Sequence, residues 1–197
     1  MQSPIHIERT DGAGEEDLQF HYLSAPLHIV NTGHTVQVNL KPGSYLMVDN
    51  TRFDLLQFHF HVPSEHLILN QTFAMEAHLV HQNSTGDYAM IGILYNCGEV
   101  NPIIKTLWEH LPRNPGEEQT PVDVIIDPLQ LIPPESRYYA YTGSLTTAPF
   151  AEGVKWILFQ PPQPASTAQL EQFTALFGKN ARPVQPLLGR KVLEGAS

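Results

Sequence analysis

QFHFHVPSEH, residues 57–66, is the stretch from which the rest of the chain is read. Side chains two apart in a strand leave the same face. His59 and His61 therefore project together with Gln57, while Phe58 and Phe60 project the other way. A second strand-like run, MEAHLVH at residues 75–81, supplies a third histidine. Laid beside the first run, it brings His78 against the His59/His61 face.

Three neutral imidazoles fill three corners of a zinc tetrahedron and leave the fourth open, the arrangement of a catalytic rather than a structural site. Ligating histidines usually give their second ring nitrogen to an acceptor that fixes tautomer and orientation. Gln57 and Glu76 each stand two residues before a candidate ligand, on the same strand face, and suit that task. Glu65 and His66 close the first segment and add a carboxylate near the site. HxH alone is a weak signal, since two histidines on a half-exposed strand face need no metal. HxH with a following glutamate is also the spacing of the cupin metal motif. Cupins flank that motif with glycines, however, and here Phe53 and Thr72 occupy those places, with no later G-x₅-P-x-G-x₂-H element.

The 197 residues suit one domain with a sizeable core, and 42% hydrophobic against 16% charged residues is an ordinary globular composition. A net charge of −9 argues against nucleic acid and against anionic membrane as partners. No apolar run approaches the ~18 residues of a membrane-spanning helix. The single cysteine, Cys97, excludes an internal disulfide and reads as a small buried hydrophobe. The opening MQSPIHIERT lacks the basic and apolar regions of a secretory leader. Seventeen prolines and thirteen glycines cut the chain into short segments, which favours strands. Residues 35–40, 53–62 and 73–80 alternate as strands, with a turn at residues 31–34 before the first, and residues 88–95 suit a strand buried on both faces. Asn101 and Pro102 start a helix that should stop at Pro112. Ser166 and Gln169 have capping-box spacing for a second helix, with Gly178 at its end. Residues 113–136 read as a connection with one short apolar strand around residues 122–126.

With QFHFHVPSEH and MEAHLVH side by side, the sequence closely resembles the α-class carbonic anhydrases, in the HxPSEH form of bacterial and plant members. QSPIHI at residues 2–7, NTGHTVQV at 31–38, ESRYYAYTGSLTTAP at 135–149, VKWILF at 154–159 and NARPVQPL at 180–187 extend the resemblance in order over almost the whole chain. It implies a mainly β single domain, residues 1–197: a large, twisted, mostly antiparallel sheet of about ten strands with short peripheral helices. It implies one Zn²⁺ on His59, His61 and His78, oriented by Gln57 and Glu76, and the reversible hydration of carbon dioxide to bicarbonate and a proton. The family's gatekeeper threonine falls on Thr146, which would donate its hydroxyl proton to Glu65 and orient the attacking oxygen. Thr147 would lie near bicarbonate. The proton-shuttle histidine falls on His34, and an imidazole titrating near neutrality suits proton relay. Asn31 and Gln37 match positions along the solvent path, and Val80, Met90, Leu145, Val154 and Trp156 form the apolar wall for carbon dioxide. Met90 departs from the smaller aliphatic side chain of many members. His66 and His81 match structural positions.

Family members usually carry a few tens of residues before the QSPI stretch, so the domain reads as shortened at its N-terminus. A chain complete as written implies a cytoplasmic home; removal of a leader implies a periplasmic or secreted one. Monomer and homodimer both stay open. The competing reading is a non-catalytic binding or adhesion domain on the same scaffold.

Overall fold

A computed structural model describes residues 1–134 and 136–197. Its centre is one large mixed sheet. Ten strands follow one another across it in the order Glu118–Gln119, Ile29–Asn31, Val36–Asn39, Thr51–His61, Met75–Gln82, Tyr88–Cys97, Glu152–Phe159, Arg137–Ser144, Leu193–Ala196 and Gly12–Ala13. Most neighbours are antiparallel; Tyr88–Cys97 with Glu152–Phe159, and Leu193–Ala196 with Gly12–Ala13, run parallel.

The two faces of this sheet do different things. On one face Phe58, Phe60, Leu79, Ile91, Ile93 and Ile157 are fully buried and join the larger apolar cluster. Each such side chain contributes roughly 1.5–3 kcal/mol. Helices Pro102–Glu109 and Thr167–Phe177 close that side, with Trp108 against Phe60 at 5.1 Å between ring centroids and against Phe173 at 5.8 Å. Their starts follow the sequence. Asn101 Oδ1 accepts the Ile104 N–H, and Ser166 and Gln169 form a reciprocal capping box. On the other face lie the three histidines and a second apolar cluster containing Val80, Met90, Val154 and Trp156.

A bulge sets which residues reach which face. Val80 stands opposite Gln57, but His81 stands opposite Leu55, so Leu56 is an extra residue in the Thr51–His61 strand. Phe53 and Leu55 share the core with Phe58 and Phe60 although their numbers have opposite parity. Bulges of this kind re-aim side chains beside functional sites.

Several expectations are corrected. Residues 122–126 give only the short strand Ile125–Ile126, paired with Ala25–Pro26, and Val122 is 85% exposed. Glu118–Gln119, polar and unremarked in the sequence, instead forms a sheet edge against Ile29–Asn31. The first helix ends at Glu109, before Pro112. Cys97 is exposed, because it sits where its strand leaves the sheet, with Sγ 3.0 Å from Thr167 Oγ1. Among the described residues no helix is long and apolar enough to cross a membrane.

Candidate metal centre

His59 and His61 come from the strand Thr51–His61 and His78 from its antiparallel neighbour, with His78 directly opposite His59 and Glu76 opposite His61. Ring centroids are 5.0 Å apart for His59 and His61, 5.4 Å for His59 and His78, and 4.6 Å for His61 and His78. All three are buried, and one nitrogen from each lies within 4.8 Å of the others.

The second nitrogen of each ring is already taken. His59 Nδ1–H donates to Gln57 Oε1 at 2.9 Å. His61 Nδ1 lies 3.1 Å from Glu65 Oε1 and 3.4 Å from the Asn180 carbonyl. His78 Nε2–H donates to Glu76 Oε1 at 2.8 Å. What remains are His59 Nε2, His61 Nε2 and His78 Nδ1. The last two are buried with no hydrogen-bond partner. Unsatisfied buried polar atoms are rare and costly, and here two of them belong to the same cluster. Imidazole nitrogens with their lone pairs free, and their opposite edges held by acceptors, fit a zinc ion.

The electrostatics favour neutral rings at His59 and His61. Burial, reinforced by the neighbouring imidazoles, holds His59 well below its ordinary value. It lowers His61 to about 3, again helped by His78. Burial also opposes charge on His78, but the charge of Glu76 and its hydrogen bond draw that ring upward. Glu76 stays ionised despite complete burial, because His66 and His78 and their hydrogen bonds outweigh desolvation. Desolvation raises Glu65, and His78, the Arg182 N–H and the Thr146 hydroxyl oppose it without cancelling it.

The family model described as eukaryotic-type carbonic anhydrase matches residues 1–196. The chain belongs to that family. It is 42% identical to a carbonic anhydrase of Nostoc sp., over 98% of this chain and 75% of the relative, and 39% identical to one of Pectobacterium carotovorum, over 98% and 79%. The α-carbonic anhydrase of Thermovibrio ammonificans, solved with the inhibitor sulfanilamide, superposes with a TM-score of 0.94 at 41% identity, covering 98% of this chain and 86% of that one. Carbonic anhydrases of this family are zinc-dependent, and the buried histidine triad could hold a metal ion.

Around the triad, the remaining candidates fall into groups. Val80, Met90, Val154 and Trp156 are buried in one cluster with half-buried Leu145 against it, and the Trp156 ring stands 4.9 Å from His78. Thr146 is buried and Thr147 exposed, so the threonine pair runs from the interior to the rim. His34 is exposed on the turn that precedes Val36–Asn39. Gln37 stands opposite His59 and donates to Asn39 Oδ1. Asn31 lies beneath the turn that carries His34. It is only 2% exposed, its Nδ2 donates to the Pro112 carbonyl, and its Oδ1 accepts the Gly33 N–H, so it holds the turn that carries His34.

The structure also brings in residues that spacing could not reveal. Asn180 donates from Nδ2 to the Phe60 and His34 carbonyls, accepts the Val62 N–H at Oδ1, and offers its own carbonyl to His61. Tyr141 bonds to His66 Nε2 at 2.7 Å and donates to Ser3 Oγ at 2.8 Å, while His66 Nδ1–H donates to Glu76. The only sequence signal for Asn180 was its place in the NARPVQPL segment.

Proposed function

We propose that His59 and His61 through Nε2, and His78 through Nδ1, hold the zinc of a carbon dioxide-hydrating centre, with Glu65, Thr146 and His34 serving the reaction. Membership of the family carries the activity: reversible hydration of carbon dioxide to bicarbonate and a proton, with zinc as cofactor. When bound, zinc supplies a Lewis acid that acidifies water at the open fourth position, an effect for which carbonic anhydrase is itself the standard example. The observation that carries the assignment is the pair of orphaned buried nitrogens, His61 Nε2 and His78 Nδ1, in a triad where the second nitrogen of every ring is engaged.

The chain's own residues do the rest. Gln57 and Glu76 fix the tautomers of His59 and His78, so the free lone pairs face inward. Glu65 accepts the Arg182 N–H on Oε1, with His61 Nδ1 3.1 Å from the same oxygen, which leaves Oε2 to take the Thr146 hydroxyl proton. A threonine whose proton is committed to a carboxylate presents only lone pairs to the cavity, and these orient the attacking oxygen by accepting its hydrogen. Carbon dioxide has no donor groups, so an apolar wall of Val80, Met90, Leu145, Val154 and Trp156 suits it. Thr147 at the rim meets bicarbonate as it leaves. His34, exposed on its turn, takes the released proton to solvent.

Stopped-flow carbon dioxide hydration with metal analysis tests the assignment. The wild type should hold one zinc per chain and hydrate carbon dioxide well above buffer, and His78→Ala should lose both. Zinc-loaded wild type with no activity above buffer would overturn it. For His34, turnover of His34→Ala should fall at low buffer and recover at high buffer; unchanged turnover at low buffer would remove that role.

A further inference from the structure

Arg182 joins three parts of the molecule that are remote in sequence. Its backbone N–H donates to Glu65 Oε1 at 2.7 Å. Its guanidinium Nη1 donates to the Ser3 carbonyl at 2.6 Å and to Gln2 Oε1 at 2.9 Å, and its Cζ lies 4.1 Å from the centre of the Phe150 ring. Each of those partners belongs to the frame around Thr146. The Phe150 N–H donates to the Thr147 carbonyl at 2.8 Å, and the Leu145 N–H donates to the Ala151 carbonyl at 2.9 Å, which closes the loop. Gln2 Nε2 donates to the Phe150 carbonyl at 3.2 Å. Ser3 and Ser144 bond reciprocally, N–H to Oγ, at 2.8 and 3.0 Å, and Ser144 is the last residue of the strand that runs into Thr146.

We infer that Arg182 is a positioning residue that registers Glu65 to Thr146, its main chain holding the carboxylate and its side chain holding both sides of the threonine loop. The inference rests on the assigned roles of Glu65 and Thr146 in hydration. The physical reasoning is short. The Thr146 hydroxyl is aimed only if the Glu65 carboxylate and the loop keep a fixed separation. They come from segments with no ladder hydrogen bond between them. Arg182 touches both, and a guanidinium whose Nη1 donates twice while its face lies against an aromatic ring resists rotation better than a single hydrogen bond. Displacement of a reacting group by about 1 Å is enough to slow a reaction severely.

A double-mutant cycle separates positioning from a general structural role. Arg182→Ala should lower kcat on the order of tenfold with KM changed less than about twofold. In a Glu65→Gln background, where the carboxylate is already lost, the same substitution should cost less than about twofold. Equal losses in both backgrounds would overturn the inference. Amide hydrogen exchange on the zinc-free protein gives a readout independent of activity. The Leu145 and Phe150 amides should exchange about tenfold faster in Arg182→Ala, and unchanged exchange at both overturns the inference. If Arg182→Ala does not fold, Phe150→Leu keeps the guanidinium and its hydrogen bonds but removes the aromatic face. It should show the same pattern at about threefold in kcat, with the same dependence on Glu65; an equal loss with and without Glu65 overturns the inference. An inactive wild type would count against the function proposed above, and the exchange measurement would still decide the role of Arg182.

Discussion

Glu76→Gln gives the most discriminating test of the centre, because the surroundings of this carboxylate leave an amide no good orientation once metal is bound. Glu76 is fully buried. Its Oε2 accepts the Glu65 and His66 backbone N–H groups, both at 2.9 Å, and its Oε1 accepts His66 Nδ1–H at 2.7 Å and His78 Nε2–H at 2.8 Å. All four neighbours donate. An amide has one oxygen, and the two backbone donors cannot change character, so the oxygen goes to them and the NH₂ group faces the two imidazoles. His78 must then offer a lone pair at Nε2 and carry its proton on Nδ1, the atom that would hold zinc. In the zinc-free protein this arrangement pairs the amide with all four neighbours and leaves His78 Nδ1 as unpartnered as before, so stability changes little. Zinc binding requires the tautomer to flip back, leaving donor against donor at a cost of about 1–3 kcal/mol. Loss of the carboxylate partner itself weakens the metal a further 10–100-fold, about 1.4–2.7 kcal/mol. Together the zinc dissociation constant should rise about 10²–10⁴-fold. Chelator competition measures it, and nitrogen NMR of the zinc-free protein reports the His78 tautomer. Zinc affinity within about threefold of wild type, with the proton still on Nε2, would refute this account of the site.

Three further outcomes are expected. His81 donates from Nδ1 to the Leu79 carbonyl at 3.0 Å and accepts the Tyr22 hydroxyl at Nε2 at 2.6 Å, and burial lowers its pKa from the ordinary 6.5 to about 4. The unfolded chain therefore takes up a proton that the folded chain refuses. The contribution is complete above pH ~6.5 and is lost as pH falls toward 4, up to on the order of 3 kcal/mol. His59 and His61 are held down too and add to the slope. The urea midpoint of zinc-free His81→Gln should therefore fall less steeply with acid than that of wild type, and parallel curves would count against the argument. A Cβ at Gly92 would meet Leu158 Cδ1 at 2.6 Å and Glu76 Oε1 at 3.5 Å. Gly92→Ala should thus lose about 1–3 kcal/mol of stability, visible in calorimetry as a lower Tm. Zinc removal by chelator should lower the Tm of wild type and leave that of His78→Ala unmoved, since only a protein that binds the ion is stabilised by it; equal shifts in both would place the metal elsewhere.

Much of the fold and the centre of the site could be read from residues two apart. QFHFH states directly that aromatics and imidazoles part to opposite faces, and MEAHLVH repeats the alternation on the neighbouring strand. Helix starts at Asn101 and Ser166 were equally plain, because a capping side chain acts within three residues of itself. What period-two reading could not supply was the parity change at Leu56, where Phe53 and Leu55 keep company with Phe58 and Phe60 only because one residue bulges out. Nor could it supply Glu118–Gln119 as a strand, since an exposed edge takes polar residues and its hydrogen bonds come from the neighbour. Cys97 misled for the opposite reason: its type favours burial, but its position at a strand end decides. Thr146 carried no signal of its own and entered only through resemblance. Asn180 and Arg182 act across more than a hundred residues of chain, and no local pattern marks such a contact.

The choice of nitrogens at the centre follows from the strand pairing. Each ligand must give one nitrogen inward and have the other held. Gln57 lies two residues before His59 on the same strand face and reaches Nδ1, so His59 is left with Nε2. Glu76 stands in the same relation to His78, yet it reaches Nε2, because its position is dictated by a second set of donors: the backbone of the Glu65–His66 turn and the His66 ring. That turn is the one that delivers Glu65 to Thr146. One buried carboxylate thus fixes the His78 tautomer with one oxygen and holds the Glu65 backbone with the other. A change at Glu76 would be felt both at His78 and, through the Glu65 backbone, at Thr146, so metal affinity is not tuned at this side chain without touching turnover.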